Sequence, residues 1–247
     1  MKILMRCMQC FKEDGKPSKE FLDIEIRDDG LYEINCSKAH KSIVWIQNQK
    51  FEILFEIGTM ALLDGYYREA VASFVASVER FHEYCIKVFL QEKKISAENF
   101  NKTWKFINNQ SERQLGAFYF LYLNTFNECP TCFFDEKNSA FRNKIIHKGY
   151  IPTKKETWDY GNKAFEYIKL MLQKIRNIQD SATPGMGEIF LHEVRQLHQS
   201  VFAGAPISTM GCPSILNLAL ANSEFDKKTF AVGLEGLQKY KQWLYKA

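Results

Sequence analysis

The sequence predicts a mainly α-helical protein with a small β-hairpin knuckle at its N-terminus and a helical C-terminal extension. Three observations carry this expectation. Residues 1–46 hold two runs that alternate apolar and polar positions, together with Cys7, Cys10, Cys36 and His40. From about Gln47 the apolar residues recur at a helical period. At Asp180 to Gly187, "DSATPGMG" breaks that pattern. The expected divisions are therefore a zinc-ribbon-like knuckle at 1–46, a helical domain at 47–180 and a helical extension at 181–247.

The bulk numbers bound the reading. With 247 residues and 46% hydrophobic content, the chain can bury a sizeable core. A net charge of +4 permits a nucleic-acid partner without demanding one. The longest wholly apolar run, Ala117 to Leu123, has seven residues, far short of the ~20 that a membrane helix needs. No membrane partner is expected. The N-terminal "MKILMRCMQC" has no apolar stretch followed by a small-residue cleavage site, so a cytoplasmic location is expected. There, the seven cysteines are expected as thiols or metal ligands rather than as a disulfide framework.

The elements follow in order. "FLDIEI" and "LYEINC" flank the turn signal "DDG" and read as one hairpin with cysteines towards both ends. "QKFEILFEIGTMALLDG" is a first helix of the main domain, stopped by Gly65. "YYREAVASFVASVERFHEYCIKVFLQ" is a long second one, with Val71, Phe74, Val75, Val78, Phe81, Ile86 and Phe89 as its core stripe. A third begins near Ser96. Ser111 with Gln114 has the spacing of a capping box and opens a fourth, very apolar helix to about Phe126. "NECPTCFFDEKN" is a loop. A short helix spans Asn138 to Lys148 and ends at Gly149. Thr153 with Glu156 forms another capping box, for a helix to about Ile178. The extension reads as a helix over Glu188 to Val201, a Gly/Pro loop "AGAPISTMGCPS", and one or two closing helices.

Cys7, Cys10, Cys36 and His40 make a C-x2-C pair, a hairpin, and a C-x3-H pair. Zinc takes four thiolate or imidazole ligands in a tetrahedron, and two tight pairs brought together by a hairpin supply them. Some forty residues can hardly build a core of their own, and a bound zinc contributes the missing folding energy. The expected cofactor is thus a structural Zn2+ in a closed site. Cys129 and Cys132 form a second C-x2-C, which leaves open a clamp in which they pair with Cys7 and Cys10 instead. Cys85 and Cys212 read as buried thiols.

The chemistry-bearing stretch is "FRNKIIHKGYIP", residues 141–152, which contains no acid. Arg142 and His147 lie five apart, about 140° around a helix, so one helix does not present them on one face. Asn143 and His147, four apart, do share a face. Two copies about a two-fold axis can pool two arginines and two histidines in one cleft. Such a cleft suits metal-free cleavage of RNA. Imidazole moves protons near neutral pH, guanidinium holds the non-bridging phosphate oxygens, and Asn143 orients either. Lys144, Lys148, Lys154 and Lys155 would supply the field for the RNA backbone, and Tyr150 an aromatic ring for a base. A plainer reading stands beside this one. Cations favour the C-terminal end of a helix, and His147 could simply cap carbonyls there.

Two other clusters read as structural. Glu79, Arg80, His82 and Glu83 include an E-x-x-H, but no second copy accompanies it to build a di-iron site, so they read as a polar stripe. His192 and His198, with Glu193 between, read as a solvated face.

Residues 47–180 resemble the HEPN superfamily (higher eukaryotes and prokaryotes nucleotide-binding). Its ribonucleases carry R-x4-6-H, often with a polar residue after the arginine, and Arg142, Asn143 and His147 match that pattern. "ALLDGYYREAVASFVASVERF" is similar to the helix-turn-helix that opens these domains, and "RNKIIHKGYIPTKKETWDYGNKAFEYI" to the passage into their last helix. The knuckle and the extension lie outside the resemblance. It implies a four- or five-helix bundle, a homodimer, and an endoribonuclease that needs no metal for catalysis and leaves cyclic-phosphate and 5′-hydroxyl ends. It also implies a role in bacterial defence or a toxin system, with a protein inhibitor or antitoxin as partner. Some members add an acid from the long second helix, which nominates Glu79 as a further catalytic residue. Other members bind without cutting, so the alternative is a nucleotide- or protein-binding module, such as a partner of a nucleotidyltransferase. A DNA-binding zinc-ribbon regulator is the third reading.

Overall fold

The structure is a computed structural model that describes residues 2–16, 20, 22–178, 207–212, 214–218 and 223–244. The chain divides into two compact units. One comprises Met1–Asn48 with Phe190–Pro213, the other Gln49–Ile189 with Ser214–Ala247. Among the described residues helices predominate, and none is long and apolar enough to cross a membrane.

In the first unit, β1 (Lys2–Met5) pairs antiparallel with β2 (Leu22–Glu25), and the short helix α1 (Met8–Asp14) lies between them in the chain. Next, β3 (Leu31–Asn35) pairs antiparallel with β4 (Lys41–Ile46). The expected hairpin between the two alternating runs is therefore not formed. Each run has a different partner, because the chain supplies two further strands that alternation does not reveal. β1 is a mere four residues, and β4 buries Ser42, Val44, Trp45 and Ile46 in a near-continuous row, as a strand covered on both faces does. A fifth strand, β5 (Ile207–Met210), joins β4 in parallel. It lies inside the stretch expected to be a Gly/Pro loop. Gln47 extends this edge: its backbone N–H donates to Met210 O at 2.8 Å and its side chain to Thr209 at 2.7 Å. The Cys212 N–H donates to Asn48 at 2.6 Å.

In the second unit, α2 (Lys50–Asp64), α3 (Tyr67–Glu92), α4 (Ala97–Trp104), α5 (Ser111–Phe126), α6 (Glu136–Lys148) and α7 (Lys154–Ile178) are followed by α8 (Ser223–Lys227) and α9 (Phe230–Leu244). α3 is central and touches α2, α5, α6 and α7. Its Phe74 ring explains how closely three helices meet. A Cβ built on Gly58 of α2 or Gly161 of α7 would stand 2.8 or 2.7 Å from that ring, so only glycine leaves room. Phe230 of α9 closes the same cluster, 5.9 Å from Phe55 and 6.2 Å from Phe74.

The caps follow local chemistry. Gln49 and Glu52 form a capping box at α2, and Thr153 and Glu156 exchange the corresponding bonds at α7, at 2.8 and 3.2 Å. The expected box of Ser111 and Gln114 does not form. Gln110 is the cap residue of α5, and Gln114 instead turns its buried amide to Asn108 O at 2.9 Å while accepting from Arg80 at 3.0 Å. Two buried carboxylates fix the start of the closing segment. Glu56 accepts the Ile215 N–H at 3.1 Å and Glu52 the Leu218 N–H at 3.0 Å. The helix expected over Glu188 to Val201, with His192, Glu193 and His198, lies outside the described residues.

Candidate functional site

Two groups of side chains stand out, one in each unit. In the first, Cys7, Cys10, Cys36 and His40 bring their ligand atoms within 4.8 Å of one another. Local structure does this. Cys7 is the N-cap of α1, so Cys10 follows one turn later, while Cys36 and His40 bracket the turn between β3 and β4, which Ala39 closes at a φ of 60°. Cys10 Sγ lies 3.8 Å from Cys36 Sγ and 3.3 Å from His40 Nδ1, and Cys7 Sγ lies 3.8 Å from the same nitrogen. A zinc tetrahedron with ordinary bond lengths has edges of about 3.8 Å between sulfurs and about 3.6 Å between sulfur and nitrogen. The donor set therefore fits a structural metal ion. Glu13 Oε2 sits 3.2 Å from His40 Nε2, where it fixes the ring and leaves Nδ1 to face the sulfurs. Burial and the adjacent thiols push the Cys10 thiol up to about 12. Burial also opposes ionisation of Cys36, but backbone N–H groups of His40 and Lys38, together with hydrogen bonds from Cys7 and Cys10, outweigh it and lower that thiol. Of the two ligand sets left open for Cys7 and Cys10, the one with Cys36 and His40 is the set whose ligand atoms cluster.

The second group centres on α6. Asp135 caps the helix by accepting the Asn138 N–H at 2.7 Å, and Gly149 ends it in the left-handed conformation at a φ of 69°. Arg142 is half-buried. Its Nη2 donates to Glu79 of α3 at 2.9 Å, and its carbon centre lies 5.8 Å from the Phe134 ring. Its buried Nε has no hydrogen-bond partner among the described residues, and neither does the buried hydroxyl of Tyr160. Burial raises the Glu79 carboxyl above its usual range, against the opposing pull of Arg142 and Arg80. Asn143 and His147 stand exposed on α6.

The flanking cations are partly engaged. Lys144 Nζ lies 3.4 Å from the centre of the Tyr150 ring, whose hydroxyl donates to Glu156 at 3.0 Å. One face of that ring is thus covered. Lys155 pairs with Asp159 at 2.7 Å, while Lys148 and Lys154 are exposed.

The E-x-x-H of α3 is split in space. Glu79 meets Arg142, whereas His82 is in the core, stacked 4.4 Å from Phe118 with Nε2 2.8 Å from the Tyr167 hydroxyl. Burial pushes its imidazole down to about 3, so the ring is neutral at physiological pH. The polar-stripe reading of His82 is therefore corrected. A lone histidine among Phe81, Tyr84 and Phe89 on a long amphipathic helix was the available sign of burial.

Sequence reasoning missed an open cleft of about 600 Å3 beside α6, lined by Lys137, Asn138, Phe141, Lys144, Tyr160 and Lys163 among others. The i, i+3, i+4, i+7 spacing of Lys137, Ala140, Phe141 and Lys144 marks one face of α6 and was a usable signal. Compared with known protein families, curated proteins and solved structures, the chain matches none.

Proposed function

We propose that the chain is a HEPN-type endoribonuclease that works as a homodimer and needs no metal for catalysis. The observation that supports it is the Glu79–Arg142 pair at 2.9 Å, which fastens the arginine from a second helix while Asn143 and His147 of the same helix stay exposed. In this reading the ribose 2′-oxygen attacks phosphorus as the bond from phosphorus to the 5′-oxygen breaks. His147 takes the 2′-OH proton or delivers one to the leaving oxygen. The products are a 2′,3′-cyclic phosphate and a 5′-hydroxyl. Glu79 holds Nη2 of Arg142, and the exposed part of the half-buried guanidinium meets the charge that builds on the phosphate. Lys148 and Lys154 attract the backbone of the RNA. The Cys3His group holds a structural Zn2+, remote from any chemical role because all four ligand positions are filled by protein.

One observation favours the non-catalytic alternative. Arg142 already has a carboxylate partner, which is also how a structural ion pair is built. Induced expression separates the two, given the expected role in bacterial defence or as a toxin. A ribonuclease slows its host and raises the number of RNA 5′-hydroxyl ends, and His147→Ala abolishes both effects. Equal growth and equal RNA ends for wild type and variant would support the binding module.

A further inference from the structure

We propose that Cys129 and Cys132 are half of a second thiolate metal site, completed by the same pair from a second copy of the chain, so that one zinc ion ties two chains together. The inference is independent of the nuclease reading. Both thiols are free and exposed, although unpaired cysteine is among the residue types most often buried. Their C-x2-C spacing equals that of Cys7 and Cys10, which in this same molecule converge with two further ligands.

The loop that carries them is pinned on both sides. At its start, Asn127 closes α5 in the left-handed conformation at a φ of 54°, and Glu128 binds Lys174 and the Tyr122 hydroxyl. At its end, Phe133 is buried in the core, and its carbonyl accepts from Asn138 at 2.7 Å. The Ser139 hydroxyl donates to Phe134 O at 3.0 Å. A loop held this way presents its thiols in a fixed place, as metal binding requires.

A further contact points to a ligand. The Tyr119 hydroxyl lies 2.7 Å from Cys132 Sγ. Once that sulfur is a metal-bound thiolate it cannot donate, so the tyrosine must. A hydrogen bond of that kind orients a ligand and stabilises its negative charge. Among the described residues no third cysteine, histidine or acid joins the pair, and Glu128 is already engaged. Two ligands leave a tetrahedral ion half-filled, and a two-fold axis supplies the other two. The neighbouring surface suits a second copy, since α5 exposes Phe120 at 76% and Leu123 at 45%, three residues apart on one face. On binding, the four thiols lose their protons to solvent.

The test uses the full chain, loaded with zinc under nitrogen and freed of excess metal. Metal analysis of the wild type should give about 1.5 zinc ions per chain, one from the Cys3His group and half of a shared ion. Cys129→Ser with Cys132→Ser should lower this to about one and remove the zinc-dependent part of dimerisation seen by sedimentation equilibrium. Tyr119→Phe should keep the stoichiometry but weaken zinc at the shared site by roughly 10-fold or more in chelator competition, leaving the first site unchanged. One zinc per chain in the wild type would overturn the proposal. So would about two per chain in a monomer, which would mean that one chain completes the site. A Cys129–Cys132 disulfide in the nitrogen-purified protein would overturn it as well.

Discussion

Cys7, Cys10, Cys36 and His40 converge within one chain and touch one another, whereas Arg142 and His147 belong to one helix and do not share a face. The first group is complete in itself: each sulfur has a neighbour at tetrahedral distance. The second is not: the arginine is tethered inward by Glu79 and the histidine is left exposed, which in the proposed reading is where an RNA strand is met. The difference is physical. A metal ion needs all its ligands at once, and a small unit that depends on it must gather them locally. A site for a long polyanion gains nothing from a closed cage. It needs an open face, fixed cations and a proton carrier that water can reach.

The two regions should therefore respond differently to loss of metal. Stripping the protein with a strong chelator, or changing Cys10→Ser, should unfold the first unit, because structural zinc in small domains is worth on the order of 10 kcal/mol. Fluorescence of Trp45, in a protein whose other three tryptophans are replaced by phenylalanine, would report that unit, and far-ultraviolet dichroism would report the helical bundle, which should remain. A bundle that melts together with the first unit would show that the metal's influence is not local.

A smaller effect concerns what holds the second unit. Burial pushes Glu56 up to about 7, with Lys228 nearby pulling the other way. A folded pKa raised above the unfolded one contributes stability that is fully present below about pH 4.5 and declines as pH rises through about 7, by roughly 3 kcal/mol. His82 has the opposite sign. Its contribution is present above about pH 6.5 and fades as pH falls towards 3. Urea denaturation of the wild type and Glu56→Gln from pH 4 to pH 8 isolates the first group, since His82 is common to both. The variant should lack the loss of stability between pH 4.5 and 7. Parallel curves would mean that the carboxylate is not titrating in the fold.

Much of the helical unit was legible because its rules are local. Gly65, Ser96, Gly149 and the Thr153–Glu156 box mark helix ends, and the apolar stripe of α3 marks the core face. Ser111 and Gln114 carried the same spacing as a true box, but the carbonyls of Ile107 and Asn108 competed for the Gln114 amide and won. The sheet was legible only in part. Strands whose partners lie far along the chain, such as β5 beside β4 or β1 beside β2, leave no local trace in four residues. The ligand set of the metal group could be read without its sheet, because spacing and donor chemistry sufficed. The Glu79–Arg142 pair joins residues 63 positions apart, and only the resemblance nominated that glutamate.

The central claim is that the Arg142–His147 helix cleaves RNA without a metal. It is tested most directly by incubating purified wild type and His147→Ala with single-stranded RNA in excess EDTA and analysing the ends. The wild type should cut and leave 2′,3′-cyclic phosphate and 5′-hydroxyl termini, and the variant should be slower by about 100-fold or more while keeping its helical spectrum. Cleavage that survives in His147→Ala at the wild-type rate, or no cleavage by the wild type at all, would contradict the account.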